Sequence, residues 1–113
     1  MGDAQYQIVL MTAANEEEAD RIAERLVSDG LAACVSVVPS CRSVYRWEGK
    51  IVKETEALII AKTHRDGFSK LEITVTSMHS YDVPEIIAVD LQTASARYLR
   101  FLADVLGGVS PDV

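Results

Sequence analysis

Cys34 and His79 are the residues whose types first suggest chemistry, because a thiolate with an imidazole suits copper or zinc better than calcium or magnesium. Two ligands do not make a tight site. Tyr81, Glu85, a water, or groups from a second copy across an interface would have to complete the shell. Both residues also have plain structural readings. A free cysteine packs like a small hydrophobe, and a histidine at a helix C-terminus bonds the last carbonyls. A Cys34 nucleophile with His79 as base would need a lowered thiol pKa and a third group to orient the base. No spacing in the chain matches a strong catalytic, metal or phosphate-loop motif, so neither an enzyme nor an organic cofactor is expected. A second set, Tyr45, Trp47, Lys62, Tyr81 and Glu85, supplies apolar walls with a few charges, as a small-ligand pocket does. Its pocket reading places a small anion at Lys62. Its plainer reading is interface packing with Lys62 paired to Glu85.

The elements that must position these groups belong to one domain over residues 1–113, since this length allows one ordinary core. At 49% hydrophobic and 25% charged residues the chain has globular composition, which excludes disorder. A net charge of -6 opposes the phosphate-neutralising attraction behind nucleic-acid and anionic-membrane binding, so neither partner is expected. No apolar run approaches the roughly 20 residues of a membrane span, and Met1 to Tyr6 is too polar for a signal peptide. The expected compartment is the cytoplasm. Cys34 and Cys41 on one extended segment would lie about 23 Å apart at about 3.3 Å per residue, beyond the roughly 7 Å that a disulfide allows. Free thiols in a reducing compartment follow.

Ile8, Val9, Leu10 and Met11 form a continuous apolar run, which predicts a central strand over Tyr6 to Thr12. Asn15 is placed to cap a helix, with Glu16, Glu17 and Glu18 at its positive end. Ala19, Ile22, Ala23, Leu26 and Val27 then recur at helical spacing, and Gly30 supplies the stop. Leu31 to Trp47 and Ile51 to Thr63 read as two long strands joined through Glu48-Gly49-Lys50. Pro39 has no amide hydrogen for a ladder and should mark a bulge or an edge. Phe68, Leu71, Val75 and Met78 predict a second helix, against the strand propensity of Ile73-Thr74-Val75-Thr76. Ile86 to Leu91 reads as a strand. Tyr98, Leu99, Leu102, Val105 and Leu106 give a last helix, capped by Ser95 and stopped by Gly107-Gly108, with residues 107–113 expected to fray. The order is β-α-β-β-α-β plus a C-terminal helix, an α+β split βαβ arrangement with an antiparallel sheet.

A monomer is not expected. Each hairpin arm would reach about 40 Å, whereas a compact chain of this length is roughly 34 Å across. The tip carries Val44, Tyr45, Trp47, Ile51 and Val52, which are costly to leave in water, and one sheet face has no helix to cover it. A second subunit is the natural cover; the alternative is that Tyr45 and Trp47 fold back on the C-terminal helix.

Three segments carry a resemblance: Leu31-Ala32-Ala33-Cys34-Val35, then Ser43-Val44-Tyr45-Arg46-Trp47-Glu48-Gly49, then His79-Ser80-Tyr81-Asp82-Val83-Pro84-Glu85-Ile86. In this order and separation they resemble the divalent-cation tolerance (CutA) family over about Ile8 to Leu106. The resemblance implies a ferredoxin-like fold in a PII-like homotrimer, and a link to copper and other divalent-metal tolerance with no established reaction. It also implies that Tyr45, Trp47, Lys62, Tyr81 and Glu85 gather near a subunit boundary. The chain departs from the family pattern at Ser36, at Ser80 where proline usually follows the histidine, and at Asp82; Cys41 is outside the pattern. Ser80 is expected to loosen the turn that aims His79. The function expected is a metal-responsive binding or scaffold role, with a PII-like small-ligand sensor as the alternative.

Overall fold

The computed structural model describes residues 5–107. Its elements are β1 (Tyr6–Ala13), α1 (Glu16–Ser28), β2 (Cys34–Trp47), β3 (Lys50–His64), α2 (Phe68–Met78), β4 (Ile86–Asp90) and α3 (Ala96–Leu106), with a short 3-10 turn at Arg65–Gly67. The four strands form one sheet in the order β2-β3-β1-β4, each neighbouring pair antiparallel. This is the ferredoxin-like order expected from the sequence.

Local chemistry fixes the helix ends. The Asn15 side chain accepts from the Glu18 amide at 2.8 Å. At the other end Gly30, with φ 73, donates to the Val27 carbonyl while Leu31 donates to Leu26, which satisfies two carbonyls the helix leaves open. Ile22 and Leu26 are fully buried, each contributing about 1.5–3 kcal/mol, but Val27 faces solvent. The apolar stripe of α1 is narrower than its sequence spacing suggested. α2 forms across Ile73-Thr74-Val75-Thr76 because Leu71 and Val75 are buried in the core while Ile73 stays exposed, so tertiary packing overrides strand propensity.

Direct pairing across the sheet sorts its side chains. Val9, Met11, Ala13, Ala57, Ile59 and Ala61 share the face packed against α1 and α2, and Val35, Val37, Ile86 and Ala88 extend it. The opposite face carries Ile8, Leu10, Leu58, Ile60, Ile87 and Val89, the last two half or more exposed. α3 lies on a second, smaller cluster: Leu102 and Ala103 are buried with Tyr6, and Ala33, Leu91, Tyr98, Leu99 and Leu106 pack around them. It covers the end of the sheet away from the hairpin tip. Tyr45 and Trp47 therefore do not fold back on it.

Between Val38 and Cys41 the register shifts by one residue, Val38 facing Leu58 and Cys41 facing Glu56. Pro39 sits in this bulge, as its missing amide hydrogen requires. The extra residue reverses the alternation of β2. Cys34, Ser36 and Val38 lie on the open face before the bulge, and Cys41, Ser43, Tyr45 and Trp47 lie on it afterwards. The turn itself is two residues, Glu48 and Gly49, both at positive φ (50° and 77°), with Trp47 facing Lys50. Positive φ at both positions gives the twist of a tight hairpin; Lys50 belongs to β3 and not to the turn. The molecule measures 51 × 28 × 22 Å with a radius of gyration of 15.1 Å, against about 13 Å for a compact chain of this length. The hairpin overhangs as its length required. The expected end stop holds at Gly107, whose amide donates to the Ala103 carbonyl and whose own carbonyl accepts from the Tyr6 hydroxyl. The rest of the expected frayed tail, 108–113, lies outside the described residues.

Candidate functional site

The reversed alternation of β2 builds the site. Once the bulge has put Ser43, Tyr45 and Trp47 on the open face, they lie beside Val52, Glu54 and Glu56 of β3, and a cleft of 670 Å³ forms along them. Thr12 closes one end. The loop between α2 and β4 supplies the far wall with Tyr81, Asp82, Val83 and Glu85. Four carboxylates, Glu54, Glu56, Asp82 and Glu85, line this cleft, and among the described residues no lysine or arginine does.

Two tyrosines organise the acids. The Tyr81 hydroxyl donates to Glu56 Oε2 at 2.7 Å, and Glu56 is the one buried carboxylate of the four. Burial, then this bond, then the charges of Glu56 and Glu54 push the Tyr81 phenol well above its ordinary range. Partial desolvation, a hydrogen bond to Glu54 and the same two charges raise Tyr45 as well. Both hydroxyls therefore stay protonated throughout the physiological range, and Tyr81 acts as donor to Glu56.

The loop is aimed by a network at its start. The His79 side chain is fully enclosed; its Nε2 donates to the Thr12 carbonyl at 2.7 Å, and its Nδ1 accepts from the Tyr81 amide at 3.1 Å. Glu18 Oε2 accepts from the Ala14 amide and Oε1 from the Ser80 amide, each at 2.9 Å, with Oε2 3.9 Å from His79 Nδ1. Burial acts to raise the Glu18 pKa, yet these backbone bonds, the Ser80 hydroxyl and the nearby His79 outweigh it and hold the carboxyl below its usual value. Ser80 therefore does not loosen the turn. Its amide supplies a bond that a proline could not give.

The structure separates the expected pairs. Cys34 faces Lys62 across β2 and β3, whereas His79 is anchored at Thr12, which faces Leu58. Four residues of β3 part the two levels, about 13 Å along the strand. Within one chain Cys34 and His79 form neither a shared metal site nor a nucleophile and base, and both ring nitrogens of His79 are engaged. The ring bonds a carbonyl of β1 and not the last carbonyls of its own helix. Cys34 instead lies against the Tyr98 hydroxyl of α3. Within one chain Lys62 is six residues of β3 from Glu56, about 20 Å away along the strand, and does not line the cleft. Within one chain the same separation keeps it from Glu85, which lines the cleft. Tyr45, Trp47, Tyr81 and Glu85 do come together. Sequence reasoning missed Glu54, Glu56 and Asp82, although the Glu-x-Glu spacing on a strand placed both glutamates on one face. Cys34 and Cys41 are free, at levels six residues apart on β3. Among the described residues no three histidine, cysteine or carboxylate side chains gather closely enough to hold a metal ion.

Residues 7–105 match the family described as CutA1 divalent ion tolerance protein. The chain belongs to that family. The divalent-cation tolerance protein CutA of Thermus thermophilus is 42% identical over 101 residues, which cover 89% of this chain and 98% of that protein. Its solved structure covers 90% of this chain and 99% of its own, with a TM-score of 0.87 at 41% identity. The periplasmic divalent cation tolerance protein CutA of Archaeoglobus fulgidus superposes with a TM-score of 0.86 at 36% identity over 89% of this chain and 98% of that one. The chloroplastic CutA of Arabidopsis thaliana is 41% identical over 84% of this chain, which spans about half (52%) of that longer relative. CutA membership thus rests on nearly the whole described fold, hairpin and cleft loop included.

Proposed function

We propose that the protein is a homo-oligomeric, metal-responsive binding protein of divalent-cation tolerance, copper included, and that it meets its cations at the acidic cleft and catalyses no reaction. The observation that carries this reading is a cleft lined by four carboxylates and, among the described residues, no basic side chain. Carboxylate oxygens suit hydrated divalent cations, and the first-named candidates, Cys34 and His79, are too far apart to compete within a chain. No three of these carboxylates gather within one chain, so the cleft would attract a hydrated cation by its charge, with direct ligands completed by water or a second copy. A trimer fits the overhanging hairpin and the open apolar face: a neighbouring copy would cover that face and border the cleft without filling it. The unpaired thiols fit a reducing compartment, and we place the protein in the cytoplasm. No helix of the described residues is long and apolar enough to cross a membrane.

Calorimetric titration of reduced, metal-free protein with Cu(I), Cu(II) and Zn(II) tests the reading. Glu54→Gln with Glu85→Gln should weaken divalent binding at least tenfold and Cys34→Ser should leave it unchanged. Binding lost with Cys34→Ser and kept in the cleft variant would overturn it. A second reading, a PII-like small-ligand sensor, is favoured by the cleft volume, which lies within the roughly 300–1,000 Å³ of small-molecule sites.

A further inference from the structure

We propose that the cleft also binds a small organic cation bearing one or more ammonium groups. The inference rests on the cleft reading above and deepens its small-ligand form. A bare ion fills a small part of 670 Å³, and the carboxylates do not gather as a metal cluster. The walls have a different chemistry from an ion site. Trp47 and Tyr45 from one strand and Tyr81 from the loop line it together with Val52 and Val83. Aromatic faces attract ammonium groups through the ring quadrupole, and carboxylates at the rim accept their N–H donors. Tyr81 fixes the buried Glu56 in place, so that acid is held for an incoming charge and need not reorganise. An anion is repelled by the same groups. The ligand therefore has the sign opposite to the one expected at Lys62.

The test is calorimetry at about 150 mM salt with 1,4-diaminobutane, tetramethylammonium and inorganic phosphate as probes, beside Zn(II). The proposal expects saturable binding of both amines and none of phosphate. Glu54→Gln with Glu85→Gln should weaken the diamine at least tenfold, and Trp47→Leu should weaken tetramethylammonium by a similar factor. Glu54, Glu85 and Trp47 are exposed within one chain; each variant is also checked for the wild-type circular dichroism spectrum and mass. If a substitution at Trp47 disrupts assembly, Asp82→Asn replaces it, with the same loss expected for the diamine. Zn(II) binding without amine binding overturns this inference alone, and amine binding without Zn(II) overturns the metal reading alone. Amine binding seen only after dilution dissociates the assembly would assign the cleft to a second copy, and overturns the proposal.

Discussion

Glu18 does more for the cleft than any residue lining it, because it ties the start of α1 to the loop that carries Tyr81. Glu18→Gln keeps the size but loses the charge behind two backbone bonds. It should destabilise the protein by about 1–3 kcal/mol at pH 7. The folded state holds this carboxyl below its ordinary pKa, so its contribution is complete above about pH 4.3 and is lost as pH falls through the folded value. Urea unfolding of the two proteins from pH 7 to pH 3 should show the difference shrinking on the acid side; a constant difference would mean that the carboxylate charge is irrelevant. Ser80→Pro, which restores the residue usual in the family, should also lower stability here, by about 1 kcal/mol or more, through the lost amide. His79 was legible as a residue of interest, but its role was not. The partner of a histidine 67 positions away in sequence, the Thr12 carbonyl, exists only after the sheet has formed.

Elements whose cause is local were legible. Asn15, Gly30 and Ser95 cap the helices where their types predicted, since a cap depends on residues within four positions. Pro39 was legible as a disruption, while its consequence was not: one inserted residue decides which side of β2 faces the cleft, and a count of side chains along a strand cannot show where it falls. The turn makes a sharper case. Gly49 stands at φ 77 with open space around its Cα, so Gly49→Ala meets no clash and reports backbone strain alone. It should cost about 1–2 kcal/mol, and Glu48→Asn should recover part of that loss. Thermal unfolding of the single and double variants checks both signs.

The chain as a whole is an incomplete unit in its own sheet. Ile87 and Val89 expose half of their surface on a face that α3 covers only at one end, and the hairpin stretches the molecule to 51 Å. These features were readable from strand length and two-sided apolar runs, because both are counts along the chain. Light scattering should give a mass near three times 12.4 kDa, and a monomer would remove the reason for an open apolar face. The central claim, that the hairpin cleft receives cations, has a built-in reporter in Trp47, the single tryptophan of the chain. The most direct measurement is its fluorescence during titration with Zn(II) in wild type, in Glu54→Gln with Glu85→Gln, and in Cys34→Ser. A saturable change in wild type and Cys34→Ser, shifted at least tenfold to higher metal in the cleft variant, is the result predicted. An unaltered curve in the cleft variant, with the change abolished by Cys34→Ser, would contradict it and move the site to the other end of β2.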